Sequence, residues 1–189
     1  MNSINETLTS YQNRIAISRL GLWLFFASDA FMFGGLLVAR FYLLGNKNLE
    51  LDQTLGLLVT SILLISSFFM NRAEVMVSQG NQKGFITSLI ITILLGTAFL
   101  IGVVGLEWGT AHLGPGDGAE GAVFYMMTGM HAFHVLTGII FLLLVLRNGL
   151  KGKFTPEKHY AVEASANYWH FVDVVWIIYY PALYLMGSL

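Results

Sequence analysis

Five long apolar blocks, at about 20–44, 54–72, 84–106, 121–146 and 164–187, constrain this chain more than any other feature. A helix rises 1.5 Å per residue and the hydrocarbon layer of a bilayer is about 30 Å thick, so about 20 apolar residues make one span. The blocks are continuous, whereas membrane barrel strands alternate in short segments. The expected fold is therefore all-α, a polytopic transmembrane bundle of five helices. The connections are short and no internal repeat is visible, so residues 1–189 read as one transmembrane domain that opens with a polar cytoplasmic segment at 1–19. Pro181 removes a backbone hydrogen bond inside the fifth block and is expected to bend it, which helix bundles tolerate.

Composition agrees with a membrane setting. Hydrophobic residues make up 56% of the chain and charged residues 11%, against about a quarter charged in ordinary globular chains. So little charge cannot cover a surface facing water. A net charge of −1 argues against nucleic acid as a partner. The chain has no cysteine, which removes disulfides, thiolate chemistry and Cys-ligated metals together. Its first residues lack the basic start and apolar core of a signal peptide, so the first block is expected to act as its own insertion signal.

Basic residues set the expected orientation. With the N-terminus in the cytoplasm, Arg14, Arg19, Arg72, Lys83, Arg147, Lys151, Lys153 and Lys158 all lie inside. Only Arg40 and Lys47 then lie near the outer face, as the positive-inside rule asks. The C-terminus follows to the outside. Trp108, Tyr42 and Tyr125 are expected at the outer headgroup zone, and Tyr160, Tyr168 and Trp169 at the inner one. The basic stretch 147–158 suits anionic lipid headgroups as well as an ordinary inner loop. The glycine-rich stretch 114–118, with Asp117, reads as turn chemistry rather than a phosphate loop.

Ionisable residues inside a membrane are costly and mark function by default. Here they are Asp29, His131, His134, His170 and Asp173, with Glu107 and Glu163 at block ends. Counting along the helices places Asp29, His134 and Asp173 at similar depths, about 14–18 Å from the inner boundary. Glu163, Ala166, Asn167, His170, Asp173, Ile177, Tyr180 and Tyr184 follow helical spacing and form one stripe expected to face other helices. His131 and His134, one turn apart, share a face. Four readings compete: hydrogen-bonded glue between helices, a proton relay, a metal or haem site, and a transporter. No HExxH motif and no di-iron ExxH pair is present, and five helices without a repeat fit inverted-repeat transporters poorly. No nucleophile–base pair is visible.

Together the motifs resemble a known family. The run Tyr168-Trp169-His170-Phe171-Val172-Asp173-Val174-Val175-Trp176 is similar to the final-helix signature of subunit III of haem–copper respiratory terminal oxidases (the cytochrome c oxidase subunit III family), in its five-helix bacterial form. Gly129-Met130-His131-Ala132-Phe133-His134-Val135-Leu136-Thr137-Gly138 resembles that family's GxHxxHVxxG helix. The run from Leu20 to Asp29 resembles a helix carrying a Ser–acid pair in the membrane, and Glu107-Trp108 matches the acidic–aromatic end of another.

The resemblance runs from about Arg19 to the C-terminus. It implies a non-catalytic subunit of a proton-pumping oxidase that reduces dioxygen to water. Such a subunit packs on subunit I, stabilises it, binds phospholipid and supports proton uptake and oxygen access. It implies contact with subunit II and a small subunit IV. It also implies no redox centre in this chain, with haem and copper in the partner subunits. By position, Asp29, Glu107, His131, His134, Glu163, His170 and Asp173 form a shared polar framework or proton-handling set, and Arg147 and His159 match lipid-linked positions. Many members carry Glu where Asp29 stands, so the shorter side chain needs a closer partner. The electron donor, cytochrome c or quinol, stays open. The implied setting is the bacterial plasma membrane. The alternative from another class is an independent proton-conducting channel or transporter.

Overall fold

A computed structural model describes residues 2–47, 49 and 51–186, with side chains from Ile15 onward. The side chains of Ser3 and Arg14, and Gly187 to Leu189 at the end of the fifth block, lie outside the described residues. Five helices follow one another: α1 (Asn2–Leu44), α2 (Gln53–Ser78), α3 (Gln82–Thr110), α4 (Gly118–Leu150) and α5 (Tyr160–Tyr180). A π-helical turn, Ile101–Glu107, interrupts α3, and another, Pro181–Leu185, continues α5. No strand occurs among the described residues.

The helices outrun the apolar blocks that announce them. The second block ends near residue 72, but α2 continues to Ser78 because Met70, Ala73 and Val77 keep one buried stripe going. Helical spacing outlasts bulk hydropathy there. The first helix likewise starts at Asn2 rather than near residue 20. Caps fix the starts: Asp52 Oδ1 accepts from Thr54 N at 2.9 Å and Leu55 N at 3.1 Å, and Asn81 Oδ1 accepts from Gly84 N at 3.0 Å. Gly80 and Gly152 adopt φ of 74° and 65° just beyond α2 and α4, the left-handed stop that glycine takes without strain.

Packing divides the five helices into four plus one. Helices α2, α3, α4 and α5 form a ring in which each touches the next, and α1 lies outside it against α4 and α5. Only 11% of the α1 span is buried, against 44% of α4. Arg19 reaches Glu163 near one end of α1, and Arg40 reaches Ala182 near the other, so α1 and α5 run parallel. Loops 79–81 and 151–159 share the Arg19 end of the bundle; loops 45–52 and 111–117 share the Arg40 end.

Candidate functional site in the bundle interior

Helix α5 supplies the largest side chains that fill the ring. Three of its large side chains enter the ring at successive levels about two turns apart. The Trp169 ring is wedged between α3 and α4: a Cβ added at Gly96 would sit 2.5 Å from Trp169 Cη2, and one at Gly138 3.0 Å from Cε3. Trp169 Nε1 donates to Ser66 Oγ on α2 at 3.1 Å. One level on, Trp176 Nε1 donates to Thr60 Oγ1 at 2.9 Å while its ring packs against Phe99 and His131. At the third level the Tyr184 hydroxyl donates to Glu107 Oε1. Small residues let the rings approach, and each polar tip finds a partner, as lipid-embedded helices require.

Two side chains predicted for the inner headgroup zone turn inward instead. Trp169 is 1% exposed and Tyr168 3% exposed. Both are inward packing groups whose N–H and O–H bond within the bundle; Tyr168 donates to His134 O at 3.1 Å. The stripe predicted along α5 is also divided. Ala166, Asp173 and Tyr184 are buried, but Ile177 is exposed and His170 partly so. The inward face is carried by Val162, Ala166, Trp169, Val172, Asp173 and Trp176, because large aromatic rings claim the ring centre.

The predicted site residues separate into distinct places. Asp29 on α1 faces His134 on α4, with Oδ2 3.4 Å from Nε2. The other ring nitrogen, Nδ1, lies 2.8 Å from Met130 O. A carbonyl only accepts, so Nδ1 carries a proton. The contact between Nε2 and Oδ2 is then favourable when one proton lies between them, on the imidazole or on the carboxyl. Asp29 Oδ2 is buried with no other partner, and Phe33 closes edge-on over the His134 ring at 4.7 Å.

His131 does something different. It is fully buried between Phe99, at 5.6 Å, and Trp176, at 4.7 Å between ring centres, and neither nitrogen has a hydrogen-bond partner. The two histidines thus share a helix and not a site. Asp173 is 3% exposed with neither oxygen hydrogen-bonded; its Oδ2 lies 3.9 Å from His170 Nδ1, which itself meets Ser67 Oγ at 2.8 Å. Glu163 is held by Arg19 through both oxygens, at 2.8 and 3.0 Å, near the membrane edge of the bundle. Arg147 is exposed at the end of α4, and His159 Nδ1 lies 3.2 Å from Thr155 O just before α5. In the loop, Asp117 Oδ2 accepts from Gly114 N at 2.5 Å, which is turn chemistry. Among the described residues no three His, Asp or Glu side chains converge on one point that would hold a metal ion.

Arg40 has a role that the sequence does not announce. Expected near the outer face, its side chain is nonetheless 0% exposed. Its guanidinium donates to three backbone carbonyls: Ala182 O at 2.7 Å, Gly45 O at 2.6 Å and Lys47 O at 3.0 Å. Gly45 and Lys47 lie just beyond the end of α1 at Leu44, and Ala182 lies in the π turn after α5. A cation near the C-terminal end of α1 also suits the helix dipole. The signal in the sequence is a lone arginine one turn before a glycine stop.

Comparison with known proteins bears on what this arrangement belongs to. Residues 7–188 match the family described as cytochrome c oxidase subunit III. The chain belongs to that family. Cytochrome c oxidase subunit 3 of Papio hamadryas is 37% identical over 187 residues, covering 90% of this chain and 70% of the relative. The proteins of the same name from Rattus norvegicus and Gadus morhua are 36% and 37% identical with the same coverage. As a subunit III this chain is an integral membrane protein and a member of an oxidase complex, associated with other oxidase subunits. The final-helix signature now has a physical content: its two tryptophans and its aspartate are the side chains that fill the ring.

Proposed function

We propose that this chain is a non-catalytic organiser of its oxidase, packed directly on subunit I, with subunit II and a small subunit IV as further partners. Haem and copper belong to those partners, which carry out the reduction of dioxygen to water with cytochrome c or quinol as donor. The chain stabilises subunit I during turnover, binds phospholipid near Arg147 and His159, and assists proton uptake and oxygen access. Its setting is the bacterial plasma membrane, with the Arg19 end of the bundle cytoplasmic and the C-terminus outside.

The observation that carries this reading is the Asp29–His134 pair. It places an acid of the outlying α1 against a histidine of the ring, both largely buried. Within it, His134 Nδ1 donates to Met130 O, which leaves Nε2 3.4 Å from Asp29 Oδ2. Asp29→Asn removes the acid while keeping the shape. Purified oxidase carrying this variant is expected to take up protons more slowly, or to inactivate sooner during turnover. Wild-type behaviour in both would leave the pair as packing alone. Removing the whole chain is expected to leave the haem spectrum in place and shorten the working life of the enzyme; loss of the haem bands while subunit I stays folded would overturn the non-catalytic assignment.

A further inference from the structure

At the Arg40 end of the bundle, a cavity of about 320 Å³ is lined by Leu51, Asp52, Glu107, Thr110, Ala111 and His112. Glu107 is 3% exposed, accepts from the Tyr184 hydroxyl at Oε1, and has no partner at Oε2, although the residue forms part of the cavity wall. We propose that Glu107 is a second proton-exchange site, served by water in this cavity and independent of the Asp29–His134 pair.

The two side chains are aimed by the same device. Each lies on a π-helical turn, Ile101–Glu107 in one case and Pro181–Leu185 in the other. The extra residue in such a turn redirects the side chains that follow it, and such turns gather at functional sites. The Tyr184 ring is then held in place. It stacks on Tyr180 at 5.1 Å and lies so close to Gly56 that an added Cβ would meet its ring at 2.6 Å. Tyr184 keeps its hydroxyl proton and uses it to donate a hydrogen bond to Oε1. That leaves Oε2, buried and unpartnered beside the cavity, as the atom that exchanges a proton with water reaching it from there.

The neighbours leave the carboxyl in water's charge. Asp52 faces it from the start of α2 with Oδ1 already occupied by its cap bonds, and Tyr184 faces it from the turn that continues α5. His112 lines the cavity from the loop. Arg40 nearby is consumed by three carbonyls, and Lys47 is paired with Glu120 on α4 at 3.1 Å. Among the described residues no cation pairs with Glu107.

The test uses the whole oxidase in sealed vesicles, with infrared difference spectra recorded as pH is stepped on one side at a time. A carboxyl C=O band absent in Glu107→Gln is expected to follow the pH of the side that carries loop 111–117. That side is identified by labelling Asp117→Cys with an impermeant reagent, since the chain has no cysteine of its own. Tyr184→Phe should shift the band and keep its sidedness. Ala111→Leu, which fills the cavity, should slow the response about tenfold, a barrier rise of about 1.4 kcal/mol. A band that ignores pH, follows the opposite side, or survives in Glu107→Gln overturns the proposal. If Glu107→Gln does not assemble, an unshifted band in Tyr184→Phe overturns it instead. Asp29→Asn should leave this band unchanged whatever it does to turnover, so the two sites fail or stand separately.

Discussion

His131 and His134 lie one turn apart on α4, yet one is enclosed by aromatic rings and the other faces a carboxylate across a helix boundary. His131 points into the four-helix ring, where Phe99 and Trp176 leave it no polar partner. His134 points to the seam with α1, where Asp29 comes within 3.4 Å. Three residues rotate a side chain by only about 60° around the axis. That is enough to move it from the core to a seam, because α1 packs outside the ring and brings Asp29 to one side only. Two histidines at ligand spacing therefore do not make a ligand pair; what faces each of them decides its chemistry.

The comparison can be broken most easily at His131. His131→Ala opens a cavity in a fully packed aromatic layer and is expected to cost about 3 kcal/mol. His131→Phe preserves the bulk without a polar atom and is expected to stay within about 1 kcal/mol of the parent. Denaturation of the purified complex, followed by retention of this chain, checks both. If the phenylalanine variant is as unstable as the alanine variant, His131 has a polar partner after all.

The seam predicts a smaller effect of a different kind. A double-mutant cycle between Asp29→Asn and His134→Gln should return a coupling of about 1 kcal/mol, within the range found for polar pairs between membrane helices. The same cycle between Asp29→Asn and His131→Phe should return none. Equal coupling in both cycles would erase the distinction between core and seam.

Smaller again is the bond that ties α5 to the backbone under His134. Tyr168→Phe removes one hydroxyl that donates to His134 O, and should cost about 0.6 kcal/mol. It should also disturb the Asp29–His134 coupling, because the α4 backbone there loses an anchor. Thr137, on the same helix, is half-buried and bonds its own turn, at Phe133 O. Thr137→Val is expected to change stability by less than about 0.5 kcal/mol, and a larger loss would mean that a partner subunit covers that face.

Much of this was legible before any coordinates. The apolar blocks locate five helices to within a few residues where a cap or glycine stop is present, as at Asp52 and Gly152. They fail where the helix outlasts its apolar run, as between Met70 and Val77, because a buried stripe needs only one residue in three or four. Asp29, His134, Asp173 and Glu107 are all recognisable as buried polar groups from their place in apolar blocks. Their pairings are not, since equal depth along an axis says nothing about azimuth. Asp29 and Asp173 share a depth and still have different partners. Trp169 looks like an interfacial tryptophan by its distance from the block end, and only Gly96 and Gly138 on two other helices reveal that space was cleared for it inside.

By itself the sequence determined the solvent, the helix count and the list of groups that cannot face lipid, because each follows from local composition and the length of an apolar run. Tertiary structure decided which of those groups meet. It set α1 outside the ring, which pairs Asp29 with His134 and leaves His131 among aromatic rings. It turned Arg40 inward onto three carbonyls. It brought two π-helical turns, about 80 residues apart in the chain, together at Glu107 and Tyr184. Side-chain reach and helix azimuth govern these meetings, and both are fixed only when the helices pack against one another.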